Sequence, residues 1–178
     1  MNNTENYSSI EFSGLALHPG FSIYLIEIAR GGKRFCYVGM TGDGHYPSAR
    51  SILHRLAGHI DLGKQSTQSQ LMKGIREQVF ENKETLTKED WASLQIKLHH
   101  WAIDGFEPWK GDLKKLNTFD PRYLDYQKKQ KQVLALEQKI ISDFGEILLN
   151  KRIRKADHTL DSKFLGIYEE IKTKVENG

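Results

Sequence analysis

Residues 22–39 read SIYLIEIARGGKRFCYVG, and how the two halves of this stretch meet around Gly31 and Gly32 decides the fold. Ser22 to Ile28 and Phe35 to Gly39 are short runs rich in β-branched and aromatic residues, the composition of strands. Two adjacent glycines supply the positive φ angles of a tight hairpin turn. A two-residue turn sets Tyr24 opposite Gly39 and diagonal to Tyr37, so both phenols share one face. Two phenols beside a glycine that leaves the backbone open to another molecule resemble the floor of a site. An ordinary amphipathic hairpin accounts for the same pattern, since tyrosine favours strands.

The whole chain sets the bounds on that hairpin. Its 178 residues, 38% hydrophobic and 28% charged, suit one soluble globular domain able to bury a core. No apolar run approaches bilayer length, and the start MNNTENY lacks the basic and apolar parts of a secretory signal. A cytoplasmic protein with no membrane partner is expected. Cys36 is the single cysteine, which excludes an internal disulfide and a cysteine zinc cluster. The net charge of +3 does not by itself announce a nucleic-acid binder. Its basic residues do cluster, at Lys33 and Arg34 on the hairpin tip, at Lys128, Lys129 and Lys131, and at Lys151, Arg152, Arg154 and Lys155. Such patches can track phosphates, and a solvated charged surface explains them equally well.

Elsewhere, apolar alternation suggests a strand within Ser8 to Leu17, closed by His18, Pro19 and Gly20. Helical periodicity predicts helices over about 48–62 and 67–80, and alternation predicts a third strand around Leu94 to Leu98. Asp120 followed by Pro121 is a helix start, and that helix should run to Phe144, with Gly145 ending it. A short strand at Glu146 to Leu149 and a helix from Ser162 to Val175 complete the chain. The expected class is α+β, with a small, mainly antiparallel sheet whose three-stranded core is flanked by helices.

One side chain on the late helix breaks its pattern. Tyr126, Val133, Leu134, Ile140, Ile141 and Phe144 form an apolar stripe, and Glu137 projects into its middle. An ionised carboxylate in such a setting needs a partner or a cation. Glu137 is therefore a candidate site residue, with a rim position paired to Lys139 as the structural alternative. On the earlier helix, Arg55 and His59 are one turn apart and share a face bordering the stripe of Ile52, Leu56 and Ile60. Phenols, a guanidinium, an imidazole and a carboxylate suit phosphodiester hydrolysis. The carboxylate can hold Mg²⁺, arginine can stabilise the charged transition state, and a phenol or imidazole can take the proton of the attacking water.

Ser22-Ile23-Tyr24, Tyr37-Val38-Gly39, Arg55, His59, Glu137 and Asn150, in that order, resemble the GIY-YIG nuclease superfamily over about residues 20–150. Ser22 stands where the first tripeptide has glycine, and Val38 where the second has isoleucine. The resemblance implies a three-stranded antiparallel sheet carrying both tripeptides, an arginine on the next helix and a metal-binding glutamate on a later one. By that resemblance Tyr24 activates water and Tyr37 assists or orients it. Arg55 stabilises the phosphate, Glu137 binds one Mg²⁺ (Mn²⁺ can substitute), and His59 and Asn150 support the site. The long loop from Met40 to Ser51 leaves Arg50 as the alternative arginine.

The nuclease core would then span 20–150 of a single domain, with an insertion at about 82–120. Residues 1–19 would form an N-terminal extension, and 151–178 a basic segment and helix. Lys33, Arg34, Lys151, Arg152 and Arg154 would contact the DNA. The chain has no room for a large separate DNA-binding domain, and such compact specificity resembles a type II restriction endonuclease. A homodimer would cut both strands of double-stranded DNA at a palindrome. The alternatives are a structure-specific, repair or mobile-element nuclease, and a non-catalytic DNA-binding module on the same fold. His99 and His100 look metal-like, but strand neighbours point to opposite faces. For the same reason Cys36 should face away from Tyr37, into the core. Trp91 and Trp101 are expected in the core, while Trp109 stays open between core and base contact.

Overall fold

The computed structural model describes residues 10–42, 50–60, 70–103, 119–150 and 159–177. β1 (Phe21–Arg30) and β2 (Lys33–Met40) form the hairpin. Gly31 and Gly32 turn it with φ of +55° and +77°, the left-handed pair whose twist matches that of the strands. The register sets Tyr24 against Gly39 and Ile26 against Tyr37. The even positions of β1, Tyr24, Ile26 and Ile28, join Tyr37 on one face. There they pack against Ile52 of α1 (Ile52–Ile60), Leu71 and Met72 of α2 (Gln70–Gly74), and a wide π-helical turn at Ile75–Val79.

α3 (Lys88–Ala92) begins with a reciprocal cap between Thr87 and Asp90 and leads into β3 (Gln95–Ile103). β3 pairs antiparallel with the free edge of β1, giving the order β2-β1-β3. On the opposite face, Phe21, Ile23, Leu25, Cys36 and Val38 meet α4 (Pro121–Phe144) and α5 (Ser162–Asn177). The class is therefore α+β, a three-stranded antiparallel sheet flanked by helices. Because β1 is covered on both faces, its sequence is nearly all apolar rather than alternating. α4 starts as the sequence predicts, with Asp120 accepting the Arg122 N–H at 2.9 Å and Pro121 in its first turn.

Several expectations are corrected or refined. The described part of the predicted first strand is extended at Ile10–Ser13 and then forms a 3₁₀ turn at Gly14–Leu17, capped by the Ser13 hydroxyl. A local side-chain cap competes with strand pairing there. The helix expected over 67–80 is present across its described residues, as α2 continued by the π turn, and it ends where Glu81 and Asn82 adopt positive φ. The strand expected at Glu146 to Leu149 is a single parallel bridge between Leu148 and Cys36. Trp91 is exposed rather than in the core, because it lies on the outer side of short α3. Trp101 is half-buried against the α4–α5 core, and its indole N–H donates to Glu170 at 2.7 Å. Gly145 has φ of −53°, so α4 ends without the left-handed cap expected of a glycine. Among the described residues, no helix is long and apolar enough to cross a membrane.

Candidate active site

The hairpin register places both phenols on the face covered by α1. There the Tyr24 hydroxyl lies 2.6 Å from His59 Nε2. The Tyr37 ring meets the same imidazole edge-on, with centroids 5.2 Å apart and planes at 67°. One buried histidine thus touches both tyrosines of the hairpin. The role expected of Gly39 changes here. Its missing side chain does not open the backbone to another molecule, because the Tyr24 ring fills that space. A Cβ on Gly39 would overlap the ring, coming within 2.7 Å of its Cε2.

Arg55 lies one helical turn before His59 and is half-buried. Burial pushes the Tyr24 phenol well above its usual range. The Arg55 charge opposes this, the Glu137 charge adds to it, and hydrogen bonding to Arg55 opposes it again. Burial also raises the Tyr37 phenol, with Tyr24 and Glu137 adding and Arg55 opposing. Both phenols are therefore neutral near pH 7, and the two charged groups act on both of them. Arg50 is exposed instead, its Nη1 3.3 Å from His54 Nε2. Between the two candidate arginines, Arg55 is the one at the phenols. Its Nε is buried without a hydrogen-bond partner.

Glu137 is half-buried on α4, beside the fully buried Leu136. Val133, one turn before it, and Ile140 and Ile141, one turn after it, are all buried, so Glu137 lies within the apolar stripe as its spacing implies, while staying half-buried itself. Gln138 Nε2 donates to Glu137 Oε2 at 3.3 Å. Lys139, the alternative partner, pairs with Asp143 at 2.8 Å and sits over the Tyr168 ring. Among the described residues, no group of three or more His, Cys, Asp or Glu side chains gathers to hold a metal ion. Mg²⁺ usually takes one or two carboxylates and completes its shell with water and phosphate oxygens. A half-buried Glu137 acting on two phenols fits that kind of site.

Asn150 reaches the other side of Tyr37. Its Oδ1 accepts the Val38 N–H at 2.9 Å and its Nδ2 donates to the Val38 carbonyl at 2.8 Å. One rung earlier, the Cys36 N–H donates to Ile147 at 3.2 Å and the Cys36 carbonyl accepts from Leu149 at 2.7 Å. The Ile147–Asn150 strap therefore grips the backbone on both sides of Tyr37, with the Asn150 amide acting as its last rung. Asn150→Ala leaves both Val38 backbone groups unpaired. It should cost about 1–3 kcal/mol, read as a lowered urea midpoint with unchanged slope.

Of the expected DNA contacts, Lys33 is exposed on the hairpin tip. Arg34 is engaged within the fold. It donates to the Lys174 and Val175 carbonyls at 2.7 Å each, capping the last turn of α5, and pairs with Glu27 at 3.2 Å. Lys151, Arg152 and Arg154 lie outside the described residues, as do Trp109 and residues 1–9. His99 and His100 do face opposite sides. His99 lies 2.9 Å from Glu27, while His100 sits directly across from Tyr24 in the β1–β3 register. The strap lies where a short strand is expected at Glu146 to Leu149, but the Asn150 side-chain rung onto Val38 has no signal in the sequence, because it depends on a strand more than a hundred residues away. The chain matches no family model, no curated protein and no solved structure.

Proposed function

We propose that the chain is a Mg²⁺-dependent endonuclease of the GIY-YIG kind, hydrolysing phosphodiester bonds in double-stranded DNA as a sequence-specific type II restriction enzyme. The observation that carries this reading is the 2.6 Å contact between Tyr24 and His59, on the face where Arg55 and Glu137 also act. Accessibility supports it. Arg55 and Glu137 are half-buried, whereas Tyr24, Tyr37 and His59 are buried, so a phosphate meets the two charged groups first.

A phenol held neutral by burial is not a standing base, and Tyr24 instead conducts a proton. As water attacks phosphorus, its proton passes to the phenol oxygen while the phenol proton passes to His59 Nε2, and the P–O bond to the sugar oxygen breaks, that oxygen taking a proton from bulk water. This direction requires the neutral imidazole with its hydrogen on Nδ1. Tyr37, against the same ring, holds the imidazole in place. Arg55 stabilises the charge gathering on the phosphate oxygens. Mg²⁺ held by Glu137 would supply further charge neutralisation. One such site cuts one strand, and a symmetric pair of chains would cut a palindromic duplex.

Full chain incubated with plasmid DNA and Mg²⁺ should release discrete fragments with a common end sequence. Tyr24→Phe keeps the ring over Gly39 and removes the hydroxyl, so cleavage should fall by about 10²–10⁴-fold with the fold intact. Random nicking, or a preference for branched DNA, would replace restriction with a repair-like role. The complete burial of Tyr24 favours one second reading, a DNA-binding module without catalysis. Binding without cleavage in Mg²⁺ and Mn²⁺ across pH would establish it.

A further inference from the structure

Gly74 ends α2 at the π turn, with φ of −60° and ψ of −42°. Any residue adopts those angles, and glycine is among the poorest helix formers. Its place here is therefore not explained by backbone conformation. Space explains it. A Cβ at Gly74 would lie 2.8 Å from the Leu149 Cβ and 3.3 Å from the Leu149 carbonyl oxygen. Leu149 belongs to the strap that grips Cys36 and Val38 on either side of Tyr37. The strap is thus bonded to β2 on one side and backed by Gly74 on the other. Leu149 is buried among Tyr24, Tyr37 and the α2 side chains, so the contact belongs to the tyrosine face.

We propose that Gly74 is a positioning residue. By letting α2 close on Leu149, it clamps the Ile147–Asn150 strap against β2 and so sets where the Tyr37 ring meets His59. Only the consequence for catalysis rests on the nuclease reading; the clamp itself does not.

Amide hydrogen exchange and ring resonances of the full chain test it without reference to cleavage. Gly74→Ala should speed exchange at the Leu149 and Val38 amides by about tenfold or more relative to the β1–β3 amides, and shift the Tyr37 and His59 ring signals. Leu149→Ala keeps the Cβ that meets Gly74. It should lower global stability while leaving the exchange of the strap relative to β1–β3 as it is. If the wild-type chain cleaves DNA, Gly74→Ala should lower kcat more than it raises KM. Unchanged strap exchange and ring signals in Gly74→Ala would overturn the proposal, whatever the outcome with DNA. Should that variant not fold, the wild-type chain decides. Its Leu149 and Val38 amides must exchange as slowly as those of β1–β3, and much faster exchange at those two amides overturns the proposal equally.

Discussion

Glu137→Gln should reduce Mg²⁺-dependent DNA cleavage by at least about 10³-fold while leaving the thermal midpoint within about 2 °C of wild type. The substitution keeps shape and hydrogen-bonding capacity, so the half-buried position beside Leu136 can accept it without a cavity. What disappears is the negative charge, and with it the acidic group that acts on the tyrosines. The same charge helps to keep both phenols protonated, so its loss lowers the phenol pKa values even as it removes the proposed cation ligand. Proton transfer alone would not be harmed by that shift. A large loss of activity would therefore point to the metal rather than to the phenols. Calorimetric titration with Mn²⁺ checks this separately, since wild type should bind the ion and the variant should not. Undiminished cleavage by Glu137→Gln would remove Glu137 from the site.

Gly39→Ala should be strongly damaging for a single added methyl group. The Tyr24 ring lies where that methyl would go, and Tyr24 is completely buried between β2, α1 and β3. The ring cannot swing out to solvent, so it must tilt or the strands must part. Overpacking of this kind costs about 1–3 kcal/mol, or about 2–4 °C of thermal midpoint per kcal/mol for a chain of this size. A tilt large enough to admit a methyl group also separates the hydroxyl from His59 Nε2, now 2.6 Å away. Proton-nitrogen spectra of the imidazole should report that separation, and cleavage should fall with it. A Gly39→Ala protein of wild-type stability with an unmoved His59 signal would show that the ring does not need the glycine.

Much of this is legible in the sequence itself. Two glycines at Gly31 and Gly32 imply the turn, the turn implies the register, and the register implies phenols on one face. Local chemistry decides each step. The same locality makes the start of α4 at Asp120 and Pro121 readable, and it explains why His99 and His100 part company. Arg55 and His59 were readable as a pair because helix geometry alone puts them on one face.

Other features depended on partners distant in sequence. Periodicity puts Glu137 among Val133, Ile140 and Ile141, and all three are buried, but only the tertiary contacts bring its half-buried carboxylate to act on the phenols of a hairpin far away in sequence. Arg34 read as a DNA contact from its place on a basic tip, yet the carbonyls at the end of α5 and Glu27 engage it. Ile10, Phe12 and Leu15 read as a strand, but alternation cannot supply an edge to pair with, and the Ser13 cap formed instead.

The sequence by itself determined the hairpin, its register and the residue types that could handle a phosphate, because turns and strand pleats are short-range geometry. Only the tertiary structure decided that Tyr24 lies over Gly39 and meets His59, that Arg55 rather than Arg50 stands at the phenols, and that a strap backed by Gly74 grips the backbone around Tyr37. Those outcomes turn on which surfaces α1, α2 and α4 bury against the sheet, and that choice is made by the packing of the whole core.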